Sequence, residues 1–239
     1  MSRVGVVDKA VAVLGALADQ GPATLAELAT ATGLARPTAH RLAQALECHG
    51  LVGRDPAGRF RLGLRLLAWG ARAASGLELV ELAGPVLANL RDATDESAQL
   101  YVREADRRVC VATAERRSGL RDTVPVGASL PLTAGSGAKV LLAWASPEDR
   151  PPGLDPDELA AVRKRGWAAS VGEREPGVAS VSAPVLDAAG RVLAAVSVSG
   201  PADRLAGSPG RRYAPALVAA ARDLEQRAGL LGPDTTATR

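Results

Sequence analysis

The stretch Thr24-Leu25-Ala26-Glu27-Leu28-Ala29-Thr30-Ala31-Thr32-Gly33-Leu34-Ala35-Arg36-Pro37-Thr38-Ala39-His40-Arg41-Leu42-Ala43-Gln44-Ala45-Leu46-Glu47-Cys48-His49 decides how the chain is read. Thr24 and Glu27 have capping-box spacing: the hydroxyl and the carboxylate each satisfy an orphan amide, so a helix starts here and runs through Ala31. Leu25, Leu28 and Ala29 turn to a core, and Gly33 supplies the left-handed residue that ends such a helix. Pro37 is expected at the first position of the next helix, where its fixed φ suits a start and its missing amide costs nothing. That helix reaches about His49. Two short helices across a tight glycine turn form the helix-turn-helix pattern, whose second helix enters the major groove of DNA.

Projected at about 100° per residue, Ala39, Leu42, Ala43 and Leu46 share a core face. The opposite face carries Pro37, Arg41, Gln44 and Cys48, flanked by Thr38 and His40. Arg41 and Gln44 can make paired hydrogen bonds to guanine and adenine, and Thr38 can bind a phosphate or a thymine methyl. The candidate DNA-contacting residues are therefore Thr38, His40 and Arg41, supported by Arg36 and Gln44. Taken alone, Arg41 reads as a solvated surface charge; the turn before it shifts the weight.

Towards the N-terminus, Val7, Val11, Leu14 and Leu17 recur at helical spacing and give a helix over residues 8–18 that Gly21-Pro22 breaks. Towards the C-terminus, residues 51–55 and 59–63 read as two short strands around the turn Asp55-Pro56-Ala57-Gly58, a wing. Arg54, Arg59 and Arg61 would lie along the DNA backbone or minor groove. Residues 1–76 hold nine basic against five acidic side chains, whereas the full 239 residues carry a net charge of only +3. The basic excess thus sits in the first third, as in a polyanion-binding module joined to a different one.

Val7-Asp8-Lys9-Ala10, the run Ala31 through Leu42, and Arg59-Phe60-Arg61-Leu62-Gly63 together resemble the IclR family of bacterial regulators, and the similarity spans nearly the whole chain. The resemblance implies an α+β protein. A winged helix-turn-helix would occupy residues 1–63, a linker helix 64–76 and a GAF-like effector domain with a mainly antiparallel sheet 77–230, before a disordered tail at 231–239. It also implies double-stranded operator DNA and a small polar metabolite as partners, and a homodimer or a dimer of dimers as the working unit.

Past residue 97 the pattern alternates as strands do, over 98–103, 109–114, 121–126, 178–186 and 192–199, with helices at 136–145, 157–165 and 211–228, and the resemblance implies a first effector-domain helix at 77–93. Pro151-Pro152-Gly153 marks an exposed loop. The run Pro131-Leu132-Thr133-Ala134-Gly135-Ser136-Gly137-Ala138-Lys139 is a small-residue loop leading into a helix, whose bare amides suit an anion. Ser180, Ser182, Ser197 and Ser199 alternate along two adjacent strands, and buried hydroxyls need partners that a bound polar ligand can supply. Carried over from the resemblance, Thr133, Ser136, Gly137, Ser170, Ser180, Ser197 and Ser199 would belong to the effector pocket. The chain departs from the family in having Gly137-Ala138-Lys139 for a common Gly-Lys-Ala, and serine at 170 and 180 where relatives often have acids or thiols. The runs 118–125 and 173–185 are most similar to actinomycete regulators of amino-acid biosynthesis, leucine in particular.

A hydrophobic content of 47% supports a sizeable core. No run approaches the roughly 18 apolar residues of a membrane span, and Asp8, Lys9 and Asp19 interrupt any signal-peptide core, which places the protein in the cytoplasm without a membrane partner. Two rival readings remain. A GAF-like enzyme finds little support: His40 and His49 fall on opposite helix faces, no nucleophile elbow, P-loop or dinucleotide fingerprint occurs, and Asp122, Glu173 and Glu175 read as paired surface charges. No metal or cofactor is expected. A redox-sensing regulator would rest on Cys48 and Cys110, which read as buried thiols.

Overall fold

The computed structural model describes residues 5–75, 78–151, 154–205, 207 and 209–230. The tail expected at 231–239, the loop residues Pro152 and Gly153, and residues 76 and 77 at the expected linker boundary lie outside these. The chain divides into two compact units, Met1–Gly76 and Leu77–Arg239.

The first unit contains α1 (Gly5–Gln20), α2 (Leu25–Thr32), α3 (Arg36–Cys48), the strands β1 (Val52–Arg54) and β2 (Phe60–Leu62), and α4 (Arg65–Ser75). The capping box is present: the Thr24 amide donates to Glu27 Oε2 at 2.7 Å and the Glu27 amide to Thr24 Oγ1 at 3.3 Å. Gly33 closes α2 at φ +66°, a conformation costly for residues with a Cβ. Pro37 occupies the second position of α3, because the turn admits Arg36 into the helix first. β1 and β2 pair antiparallel, with Val52 opposite Leu62. Val13, Leu17, Leu28, Ala43, Leu46, Val52 and Phe60 form one core. The apolar face of α1 differs from the expected stripe. Val13 and Leu17 are buried with Ala10 and Leu14 beside them, whereas Val7 and Val11 are 54% and 59% exposed. Apolar residues on α1 exceed one stripe, so spacing alone admits two neighbouring faces.

The second unit contains α5 (Glu78–Thr94), β3 (Ser97–Glu104), β4 (Arg107–Ala114), β5 (Ser129–Pro131), α6 (Ser136–Ala143), α7 (Pro156–Arg165), β6 (Ala168–Val171), β7 (Val178–Leu186), β8 (Val192–Pro201), α8 (Ala202–Leu205) and α9 (Pro209–Arg227), with a short 3-10 turn at Pro147–Asp149. Its six strands are ordered β5-β4-β3-β8-β7-β6 and every pairing is antiparallel. The pleat sorts side chains by parity. Ala98, Leu100, Val181, Ala183, Val196 and Val198 pack against Val86, Leu87, Leu217 and Leu224 of α5 and α9. The other face carries polar rows beneath α6: Ser170, Ser180, Ser199 and Ser97 lie opposite one another in turn, then Ser182, Ser197 and Gln99.

No strand forms at 121–126. Pro125 has no amide for a ladder, Gly127 turns the chain at φ +89°, and the second partner of β4, beside β3, is β5, further on. The sequence reading also missed β5, β6 and α8, which are too short for a period to show.

Candidate functional site

In the first unit, Ala39, Ala43 and Leu46 anchor α3 in the core, leaving Arg36, Arg41 and Gln44 exposed on the far side with Thr38 and His40 half-buried between. Arg36 and Arg41 make no ion pair among the described residues. The arginines of the β1–β2 hairpin are committed to neighbours. Arg54 pairs with Glu47 at 3.0 Å and lies 4.1 Å over the Phe60 ring. Arg59 pairs with Asp55 at 2.8 Å, and Arg61 donates to the Arg54 and Leu62 carbonyls at 3.3 and 3.1 Å. The α3 face is thus presented ready for a partner, while the hairpin arginines would have to share their donors.

In the second unit a narrow cleft lies between the start of α6 and the polar sheet face. Gly137, Ser180, Ser197 and Ser199 line it, joined by Tyr101, Arg108, Asp122, Gly135 and Arg174. Its cavity volume is about 20 Å³, room for about one water and far below the roughly 300 Å³ or more of an open ligand site. Ser136 is buried and lies outside the lining, hydrogen-bonded to Ser180 of the cleft wall. Ser170 is buried on β6 opposite Ser180, outside the lining. Thr133 is exposed on the approaching loop, also outside it.

The serines find partners within the protein, where a bound ligand was expected as one that can supply them. Ser136 Oγ is 2.7 Å from both Ser180 Oγ and Ser182 Oγ, and Ser182 is 2.8 Å from Ser197. Ser199 donates to Gln99 Oε1 at 3.2 Å. Cross-strand serines face each other at hydrogen-bond distance, so the rows satisfy themselves. Lys139, one residue later than in the common family triplet, is 5% exposed and reaches Glu158 and Glu173 at 2.7 and 2.6 Å. Burial works against its charge, but these hydrogen bonds hold its pKa above the ordinary value. The other Glu173 oxygen accepts from the Gly135 amide at 3.2 Å. Arg174 clamps Asp122 at 2.9 and 2.8 Å, so the acids of this region pair with cations and not with each other.

The group that sequence reasoning missed is Arg108 of β4. It is 3% exposed and stacked 5.5 Å from the Tyr101 ring centre. Its Nη1 donates to the carbonyls of Pro131 and Ala134 at 2.7 and 2.9 Å, but its Nε has no acceptor. Desolvation pulls its pKa down to about 10. The alternation along β4 places it on the polar face, but only the return of residues 131–137 makes it part of a site.

Cys110 is buried and desolvation pushes its thiol up to about 12, the opposite of a reactive thiolate; Cys48 is exposed, and both are free. Among the described residues no group of histidine, cysteine and acidic side chains is placed to hold a metal, and no helix is long and apolar enough to cross a membrane.

The IclR helix-turn-helix domain model matches residues 6–56, and the model of the bacterial transcriptional regulator IclR C-terminal domain matches 71–152 and 151–226. The chain is 34% identical to the DNA-binding transcriptional repressor YiaJ of Escherichia coli over 203 residues, 76% of this chain and 72% of that protein. It is also 34% identical to a glycerol operon regulatory protein of Streptomyces griseus, over 83% of this chain and 84% of the other. Among solved structures, an IclR homolog complexed with 4-hydroxybenzoate from Microbacterium hydrocarbonoxydans superposes with a TM-score of 0.78 at 26% identity, covering 93% of this chain and 99% of the other.

Proposed function

The chain belongs to the IclR family of transcriptional regulators, and from that premise we propose that it binds operator DNA and changes its affinity when a small polar metabolite enters the cleft of the second unit. The supporting observation is the outward face of α3, where Arg36, Arg41 and Gln44 are exposed opposite a buried apolar face. Thr38, His40 and Arg41 read base edges and nearby phosphates, with Arg36 and Gln44 beside them. Arg54, Arg59 and Arg61 add contacts to the backbone or minor groove, exchanging present partners for phosphates. Within this reading residues 1–63 are the DNA-binding domain, 64–76 the linker helix and 77–230 the effector domain. The working unit is a cytoplasmic homodimer or dimer of dimers, as a two-fold operator requires.

Ligand binding alters half-site spacing through the linker helix, to the extent that the ligand binds the two arrangements with different affinity. The regulated genes belong to amino-acid metabolism on the pattern of runs 118–125 and 173–185. A genome-wide map of binding sites tests that assignment against the glycerol operons named for the Streptomyces relatives. The central test is the double variant Thr38→Ala, Arg41→Ala in a gel-shift or anisotropy titration with a mapped operator. It is expected to lose at least about tenfold in affinity and most of its preference over unrelated duplex, since each good base contact is worth roughly 1–3 kcal/mol. Undiminished affinity and selectivity would remove the α3 reading.

A further inference from the structure

The pairing of β6 with β7 ends at Ala168 opposite Ser182, so β7 runs on to Leu186 with one edge uncovered. That edge is closed to a further strand. Pro184 has no amide to give, and the Leu186 amide donates to Glu225 Oε1 at 2.7 Å. Between this edge, the end of α7 and α9 lies a hollow with a cavity volume of about 440 Å³, within the range of small-molecule sites. A second hollow of about 350 Å³ adjoins it and shares Arg165 and Val218 with it.

The lining of the larger hollow carries Arg163, Lys164, Arg165 and Arg222 against one carboxylate, that of Glu225. The four cations are exposed, and none makes an ion pair among the described residues. Cations in the last turn of α7 offset the helix dipole, which accounts for the first three. Arg222 has no such account. It stands inside α9 with Val218 and Gln226 four residues away on either side, whereas Arg227 on the same helix pairs with Asp223 at 2.8 Å. Glu225, three residues on, is buried and turned to the Leu186 amide. Two elements thus send unmatched cations to one hollow. Aromatic side chains converge there too. Half-buried Trp144 lines the larger hollow and half-buried Trp167 the smaller, with the Arg165 guanidinium 4.4 Å over the Trp167 ring.

We propose that the two hollows form a nucleotide site, separate from the cleft beneath α6, that takes a nucleoside diphosphate. The planar guanidinium groups of Arg163 and Arg222 match phosphate oxygens in pairs, and Lys164 adds a point charge. Four cations against one carboxylate leave an excess of positive charge, and a single phosphate, with at most about two negative charges, does not cover it. Two joined phosphates do. An indole face beside the cations takes a flat base by stacking. Inorganic diphosphate alone would leave the tryptophans and the apolar floor at Val218 uncovered.

The experiment is calorimetry and tryptophan-fluorescence titration of the full chain, at constant ionic strength, with ADP, inorganic diphosphate, inorganic phosphate and adenosine. ADP is expected to bind saturably, inorganic diphosphate about tenfold more weakly for want of a stacked base, and phosphate and adenosine more weakly again. The fluorescence change is expected to shrink in Trp144→Phe or Trp167→Phe and to persist in Trp69→Phe, since Trp69 belongs to the first unit. The double variant Lys164→Gln, Arg222→Gln is expected to weaken ADP at least about tenfold through lost hydrogen bonds to charged groups. Both side chains are exposed, so its unfolding temperature should match the parent's. Diphosphate binding as tightly as ADP, ADP binding unimpaired in the double variant, or no saturable binding would overturn the proposal. Two other occupants would overturn it as well. If the double variant lost as much affinity for unrelated duplex as for ADP, the cations would belong to DNA; if it changed oligomeric state in sedimentation, the hollows would belong to a second copy of the chain.

Discussion

Ser182 sits at the middle of the hydroxyl chain, hydrogen-bonded to Ser136 on one side and Ser197 on the other. Ser182→Ala leaves both neighbours with one partner fewer in a buried setting, so a loss of about 1–3 kcal/mol is expected. Chemical denaturation of the full chain measures it, and a neutral result would mean that water replaces the missing hydroxyl. The serines could be found from sequence because alternation along two strands places them on one face whatever the rest of the chain does. Arg108 could not. Its significance comes from backbone arriving from residues 131–137, and one strand pattern holds no record of which loop returns to it. Ser170 and Thr133 mark the opposite error, since carrying a position over from relatives fixes its place in the chain but not which side of a wall it ends on.

The helix-turn-helix was fully legible because its punctuation is local chemistry: a capping box, a left-handed glycine, a proline in the first turn. That chemistry has a pH signature. The amide and hydroxyl of Thr24 hydrogen-bond the Glu27 carboxylate and hold its pKa below the ordinary value. A carboxyl whose folded pKa is depressed contributes stability above its unfolded pKa, about 4.5, and the contribution is lost as pH falls through the lower folded value. Glu27→Gln should therefore unfold at a lower temperature than the parent at pH 7, with the gap closing below about pH 4. A gap that persisted unchanged at pH 3 would show that the carboxylate charge is irrelevant to the cap. Elements without local punctuation were read less well. Of the stripe expected on α1, Leu14 and Leu17 join the core but Val7 and Val11 are exposed, and at 121–126 the alternation is real, with Asp122 and Val124 turned inward to Arg174 and to the core, but the stretch pairs with no strand.

For the whole molecule, the sequence conveyed the division into two kinds of unit through charge: the basic excess precedes residue 77, where the contact pattern also divides. The consequence is a salt-dependent protein. If the first unit neutralises about six phosphates, operator affinity falls roughly a thousandfold between ~50 and ~200 mM salt. Anisotropy titrations across that range measure the slope, and a nearly flat response would contradict a phosphate-anchored complex. A basic hairpin whose arginines already hold Glu47 and Asp55 predicts a second trait: Glu47→Gln should steepen the slope by freeing Arg54. What charge could not convey is how tightly the cleft closes, because a cavity of about 20 Å³ is what the packing of many side chains leaves and not a property of any one of them.

The hydroxyl chain from Ser180 through Ser136 and Ser182 to Ser197 has a further property. Each hydroxyl both gives and takes a proton. The Ser136 hydroxyl donates to Ser180, and with one proton per hydroxyl this turns Ser182 towards Ser136 and Ser197 towards Ser182, so the row has one polarity. The cleft wall therefore meets its contents with lone pairs at Ser197, whose proton is spent within the row, and with a free hydroxyl proton at Ser180.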